Sequence, residues 1–158
     1  MLRLLVQRGE TLSAAESCTG GLIAKNITDI PGASAAFLGG VVSYTNGVKH
    51  GVLGVPEELL AELGAVSRPV AKAMAEGARR VMGSTYALSV TGLAGPNGDD
   101  RGNPVGTVFI GLAGPAGTQV RQLLLPGDRE AVRRQAAEEA FALLRQHLTE
   151  KNSAKGEN

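Results

Sequence analysis

Ser17 stands in the run Ala15-Glu16-Ser17-Cys18-Thr19-Gly20-Gly21, between a short apolar stretch and the beginning of an amphipathic one. A serine on a strand-to-helix turn is exposed at the carboxyl end of the strand, where free N–H groups at the helix start can stabilise an oxyanion. Ser17 is therefore placed like a nucleophile. Capping accounts for Ser17 and Thr19 equally well, with the glycines making the turn. Cys18 competes as nucleophile, but His50 and His147 are the only histidines, and His147 falls near the end of a solvated helix.

A serine hydroxyl needs a base to take its proton. The run Ser43-Tyr44-Thr45-Asn46-Gly47-Val48-Lys49-His50 offers Lys49, at the end of another central strand. Partial desolvation lowers a lysine's pKa, so that its neutral amine accepts protons near neutral pH. A solvated lysine is the commoner case, and His50 is a rival base on the same segment.

A third segment, Thr91-Gly92-Leu93-Ala94-Gly95-Pro96-Asn97-Gly98, follows a predicted strand; its backbone can approach a ligand closely or form an anion-binding nest. Neither a Walker A loop nor a dinucleotide fingerprint occurs. In a fourth segment, Gly127 to Gln135, Arg129 and Arg133 share the first turn of a predicted helix and suit a phosphate, unless they pair with Asp128, Glu130 or Glu138 on a solvated face. Asp99-Asp100 is a loop carboxylate pair without His or Cys partners, so neither a metal nor another cofactor is expected.

The elements that must position these residues follow from periodicity. Met1 to Gln7 reads as a helix stopped by Gly9, and Thr11 to Ala15 as a buried strand. Ile23, Ile27 and Ile30 then mark a helix closed by Pro31-Gly32. Phe37 to Thr45 is a strand with a glycine pair that suggests a bend or bulge. Short helices are predicted for Val48 to Leu53 and from Pro56 to Leu63, and a longer one for Val70 to Met82 with Ser67 at its N-cap.

Tyr86 to Thr91 is a strand that runs into a polar loop, Gly92 to Pro104. Val105 to Ala113 and Thr118 to Leu124 form a hairpin around Gly114-Pro115-Ala116-Gly117, and Asp128 caps a last helix, Arg129 to Leu148. The alternation predicts an α/β fold: a three-layer α/β/α sandwich with a mixed, mostly parallel β-sheet. One domain is expected over residues 1–149, with a polar, disordered tail at 150–158.

The 158 residues are 43% hydrophobic, enough for one core, and 16 basic against 15 acidic side chains argue against broad binding to nucleic acid or an anionic membrane. No apolar run approaches the roughly 20 residues of a membrane helix, the single cysteine forms no internal disulfide, and no secretory signal is evident. A cytoplasmic protein is expected. The 22 glycines cluster where predicted strands end.

Taken together, AESCTGG, ITDIPGAS, VVSYTNGVK, GAVSRPVA, VTGLAGPNG, NPVGTV and GDREAVRRQA, spread over Leu12 to Leu144, resemble the CinA C-terminal domain family. Its stand-alone members include nicotinamide mononucleotide deamidase, of the type called PncC. The resemblance implies a serine amidohydrolase with a Ser/Lys dyad that converts nicotinamide mononucleotide to nicotinate mononucleotide and ammonia. By motif, Ser17 is the nucleophile and Lys49 the base, with Tyr44, Thr91 and Arg133 positioning substrate or proton.

Backbone N–H groups around Thr19, Gly20 and Gly21 are expected to hold the oxyanion. Thr45, Asn46, Gly92, Gly95 and Arg129 complete the expected substrate site. A homodimer or higher homo-oligomer is the prior for such an enzyme. In many relatives this domain follows one similar to molybdopterin-binding proteins, which is absent here, and the first helix is shorter than usual in the family. The rival expectation is a non-catalytic nucleotide-binding or interaction module linked to competence or DNA damage.

Overall fold

The computed structural model describes residues 1–155, with side chains to residue 150. Its elements are α1 (Leu2–Arg8), β1 (Leu12–Glu16), α2 (Leu22–Thr28), a 3-10 turn (Ala33–Ala35), β2 (Phe37–Val42), α3 (Asn46–Gly51), α4 (Glu57–Leu63), α5 (Arg68–Met82), β3 (Tyr86–Gly92), β4 (Thr107–Gly114), β5 (Gly117–Leu124) and α6 (Arg129–Lys155). The sheet order is β2-β1-β3-β4-β5. β1 pairs parallel with β2 and β3, whereas β4 runs antiparallel to β3 and to β5. Four strands thus share a direction and β4 opposes them, a mixed sheet with helices on both faces.

Alternation within β1 and β3 decides which face each residue serves. Leu12, Ala14, Tyr86, Leu88 and Val90 join Leu5, Ile23, Ile27 and Val132, Ala136, Ala140, Leu144 in one core, under α1, α2 and α6. Ala15 and Ala87 face the other way, into a core with Leu53, Val55, Leu60, Val70 and Met74. Each large apolar side chain so buried contributes roughly 1.5–3 kcal/mol. The α5 face of the sheet is small-residue territory, including Ser13, Ser89 and Gly111, and it draws α5 close enough for the Ser89 hydroxyl to donate to the Ala71 carbonyl at 2.6 Å.

The β1-α2-β2 crossover covers one face and the β2-to-β3 connection through α3, α4 and α5 covers the other, so the chain reverses its winding at β1. Such a reversal opens a crevice beyond the carboxyl ends of the flanking strands. The β2 glycine pair is a bulge: Leu12 pairs with Phe37 but Ser13 with Gly39, leaving Leu38 over. Gly39 has φ 146, backbone that a side chain resists. Across the bulge the strand changes face, for Phe37 packs with the first core and Val41 with the second.

Several expected boundaries move. β2 ends at Val42 and is an edge strand, not a central one. Asn46-Gly47 opens α3 instead of lying outside it, because Thr45 stands at the N-cap. α2 stops at Thr28, so Ile30 leaves the apolar stripe and is half exposed. Ser67 sits at the N-cap of α5, but its hydroxyl donates back to the Gly64 carbonyl.

β4 begins at Thr107, since Val105 and Gly106 are spent turning the chain. α6 continues through residues 150–155, where a disordered tail is expected, because no Gly or Pro interrupts it after Leu148. The remainder of that tail, 156–158, lies outside the described residues. Among the described residues no helix is long and apolar enough to cross a membrane.

Candidate active site

Ser17 follows β1 directly, its amide donating to the Val90 carbonyl of β3 at 2.9 Å, so the turn stays in register with the sheet before it bends. Glu16, the last residue of β1, is 1% exposed. Its carboxylate accepts from the amides of Gly21 at 3.1 Å, Ile23 at 3.0 Å and Ala24 at 2.9 Å. A carboxylate beside the positive end of a helix satisfies donors that the first turn leaves orphaned.

On its opposite side the turn is gripped by α6: Arg133 donates to the carbonyls of Cys18 and Thr19, at 3.1 and 3.0 Å. Within the turn, Gly20 donates to the Ser17 carbonyl and Leu22 to that of Thr19. The glycine amides expected to hold an oxyanion are therefore already engaged. Those of Cys18 and Thr19 donate to no other described residue, and the buried Thr19 hydroxyl is also without a partner.

Lys49 rises from α3 rather than from a strand end, and it is 1% exposed between exposed or half-buried neighbours. Its Nζ lies 2.9 Å from Ser17 Oγ and 2.7 Å from the Ser43 carbonyl. Ser43 is fixed in turn, its amide donating to the Glu16 carbonyl at 2.7 Å. Burial lowers the Lys49 pKa from 10.5 to about 8, so a usable fraction of the amine is neutral near physiological pH.

Burial has the opposite sign for a thiol and pushes Cys18 up from 9.0 to about 11, which keeps it protonated and unreactive. His50 turns away from Ser17; its Nδ1 bonds the Val55 carbonyl at 2.8 Å and its Nε2 lies 3.8 Å from Glu57. His147 packs edge-on against Tyr86, which opens β3 at the far end of that strand.

Ser17 and Lys49 open onto a cavity of about 320 Å³ in the crevice beyond β1 and β3. Of the residues expected at the substrate, Tyr44, Asn46, Thr91, Gly92, Gly95 and Arg129 line it, together with Cys18, Ala65, Val66, Leu93, Ala94 and Asn97. The Thr91 hydroxyl donates to the Ala65 carbonyl at 2.8 Å, tying the connection before α5 to the rim. Arg129 bridges the mouth, donating to the Gly95 carbonyl at 2.6 Å and the Tyr44 hydroxyl at 3.2 Å.

Thr19, Gly20, Gly21, Thr45 and Arg133 are not on this wall. Thr45 caps α3 through Val48, and Arg133 holds the nucleophile turn; Arg129 and Arg133 both line a second cavity, with Leu22, Asn26, Glu130, Arg134 and Glu138. No group of three or more His, Cys, Asp and Glu suited to a metal occurs among the described residues.

Sequence reasoning missed Glu16, the Ser43 carbonyl and Arg101. Arg101 donates to the carbonyls of Ala61 at 2.7 Å and Glu62 at 2.6 Å and straps the 92–106 loop onto α4. Only Glu16 carries a readable signal, an acidic residue closing a strand of otherwise uncharged, small or apolar residues.

The sequence model of the CinA C-terminal domain matches residues 1–148. The chain belongs to the CinA C-terminal domain family. A CinA-like protein of Anaeromyxobacter sp. (strain Fw109-5) is 56% identical over 141 residues, 89% of this chain. The CinA-like protein of Geobacter sulfurreducens is 54% identical over 146 residues, 92% of the chain.

The chain spans about a third of these relatives' length, 34% and 35%. The crystal structure of competence damage-inducible protein A from Klebsiella pneumoniae superimposes with a TM-score of 0.91 at 35% identity, over 93% of this chain and 91% of that one. Competence/damage inducible protein CihA of Agrobacterium tumefaciens gives 0.83 at 39% identity, over 90% of each. CinA membership and the mixed α/β sandwich are thus established together.

Proposed function

We propose that this chain is a serine amidohydrolase that deamidates nicotinamide mononucleotide to nicotinate mononucleotide and ammonia. The observation that carries the reading is the buried 2.9 Å contact between Lys49 Nζ and Ser17 Oγ, with the amine's pKa lowered by burial and no histidine facing the serine. A lowered lysine beside a serine is one of the few ways to activate a hydroxyl without imidazole. The substrate comes from the family resemblance. The cavity, polar at Asn46 and Arg129 and open to backbone at Gly92 and Gly95, is compatible with a small polar amide.

Ser17 Oγ attacks the carboxamide carbon while its proton passes to Lys49, giving a tetrahedral oxyanion held by the amides of Cys18 and Thr19. Collapse breaks the C–N bond as Lys49 hands the proton to the departing nitrogen, which leaves as ammonia. Water then attacks the acyl ester, Lys49 again accepting a proton and returning it to Ser17. Tyr44 and Arg129 orient the substrate at the mouth, and Thr91 holds the rim. We place the reaction in the cytoplasm and in a homo-oligomer. Ammonia release from nicotinamide mononucleotide tests this: wild type must exceed Ser17→Ala and Lys49→Ala, and equal background release by all three would sink it.

A further inference from the structure

Glu16 is linked to both halves of the candidate dyad, to Ser17 as its chain neighbour and to Lys49 through Ser43. Its side chain closes the α2 start through three amides, at 2.9 to 3.1 Å, and so fixes the turn that carries Ser17. Its carbonyl accepts from the Ser43 amide at 2.7 Å and the Ser43 hydroxyl at 3.3 Å, and the Ser43 carbonyl in turn accepts from Lys49.

A peptide unit is planar, so its N–H points opposite its C=O. With the Ser17 carbonyl taken by Gly20 and the Cys18 carbonyl by Arg133, the Cys18 and Thr19 amides are turned away from those bonds. Glu16 has drawn the α2 amides aside, and the Cys18 and Thr19 amides stay next to Ser17, that of Cys18 facing only its own thiol.

We propose that Glu16 is a positioning residue: its carboxylate sets the Ser17 turn so that the Cys18 and Thr19 amides alone face the developing oxyanion. The inference rests on the reading of Ser17 as nucleophile. A cap that served stability alone would be indifferent to the reaction rate of folded molecules. A positioning cap is not, since misplacing reacting groups by a fraction of an ångström slows the step.

The test uses a substrate unrelated to the proposed natural one. With p-nitrophenyl acetate, Ser17 Oγ bonds the acyl carbon, the ester C–O bond breaks, nitrophenolate leaves and the hydroxyl proton passes to Lys49. Glu16→Gln, scored per folded molecule from its own melting curve, is expected to release nitrophenolate roughly tenfold or more slowly than wild type, with KM little changed. Equal rates overturn the inference. Wild type no faster than Ser17→Ala overturns the nucleophile reading instead.

A second measurement, on wild type alone, decides the matter if Glu16→Gln does not fold. Amide hydrogen exchange should be slow at Gly21, Ile23 and Ala24, and fast at Cys18 and Thr19 until benzeneboronic acid accepts the Ser17 oxygen. Protection of Cys18 and Thr19 that is the same with and without the boronate overturns the proposal.

Discussion

Lys49 Nζ is held between Ser17 Oγ at 2.9 Å and the Ser43 carbonyl at 2.7 Å, so the amine is aimed by backbone as well as by the group it would deprotonate. The carbonyl accepts one amine hydrogen, and the neutral form keeps a lone pair for the serine proton. That division of labour needs no carboxylate partner, and burial alone lowers the lysine far enough.

If the neutral amine is the working form, kcat/KM rises with pH and levels off above the Lys49 midpoint, about 8. Below that midpoint the rate falls roughly tenfold per pH unit. A pH profile of ammonia release checks this, and a midpoint in the ordinary histidine range, about 6.5, would contradict it.

The same burial leaves a mark on stability. Between about 8 and 10.5 the unfolded chain holds the Lys49 proton and the folded chain does not, so stability increases with pH through that window. The increase totals about 3 kcal/mol relative to Lys49→Met, which lacks the titration. Denaturant unfolding of both proteins at the two ends of the window measures it; parallel curves would refute the shift.

Cys18 lines the same cavity yet is expected to be inert, because burial lifts its thiol to about 11. Near pH 8 it should react with iodoacetamide roughly 100-fold more slowly than an exposed thiol. Mass spectrometry of the alkylated peptide gives the rate directly, and rapid labelling of native protein would show a thiolate.

Removing the Arg101 strap frees the loop that carries Leu93 to Asn97 along the cavity wall. Arg101→Ala should be cut faster by a broad protease between residues 93 and 105, with about 1 kcal/mol of lost stability. An unchanged cleavage pattern would mean that the Asp99 bonds to Asn103 hold the loop unaided.

Two glycine substitutions should have opposite signs. A Cβ at Gly77 would overlap the Leu53 carbonyl across the α5 contact, so Gly77→Ala should cost about 3 kcal/mol or more. Gly51 ends α3 with nothing near its missing Cβ, and Gly51→Ala should be neutral or stabilising by up to about 1 kcal/mol. Thermal melts of the two variants distinguish these outcomes.

The layers are legible because α6 and the buried strands carry their apolar residues at one period each, as with Val132, Ala136 and Ala140. Ser17 and Lys49 are legible as types near strand ends, but their meeting is not, since it depends on the 32-residue separation being closed by an edge strand. Arg133 illustrates the limit. An arginine at a helix start looks the same whether it faces a phosphate or two carbonyls of a neighbouring turn, and only tertiary packing decides.

The extra residue in β2 sets the phase of everything downstream of it. Pairing Leu38 with Ser13 in place of the bulge would slip the register by one, turn Val41 toward the opposite core and carry the Ser43 carbonyl away from Lys49, whereas deleting Leu38 would keep Gly39 opposite Ser13 and Val41 opposite Ala15. The bulge is thus the point where β2 absorbs an odd residue: a deletion of one residue at Leu38 leaves the pairing of Gly39 to Val42 with β1 intact, which a regular strand could not accommodate without a slip in register.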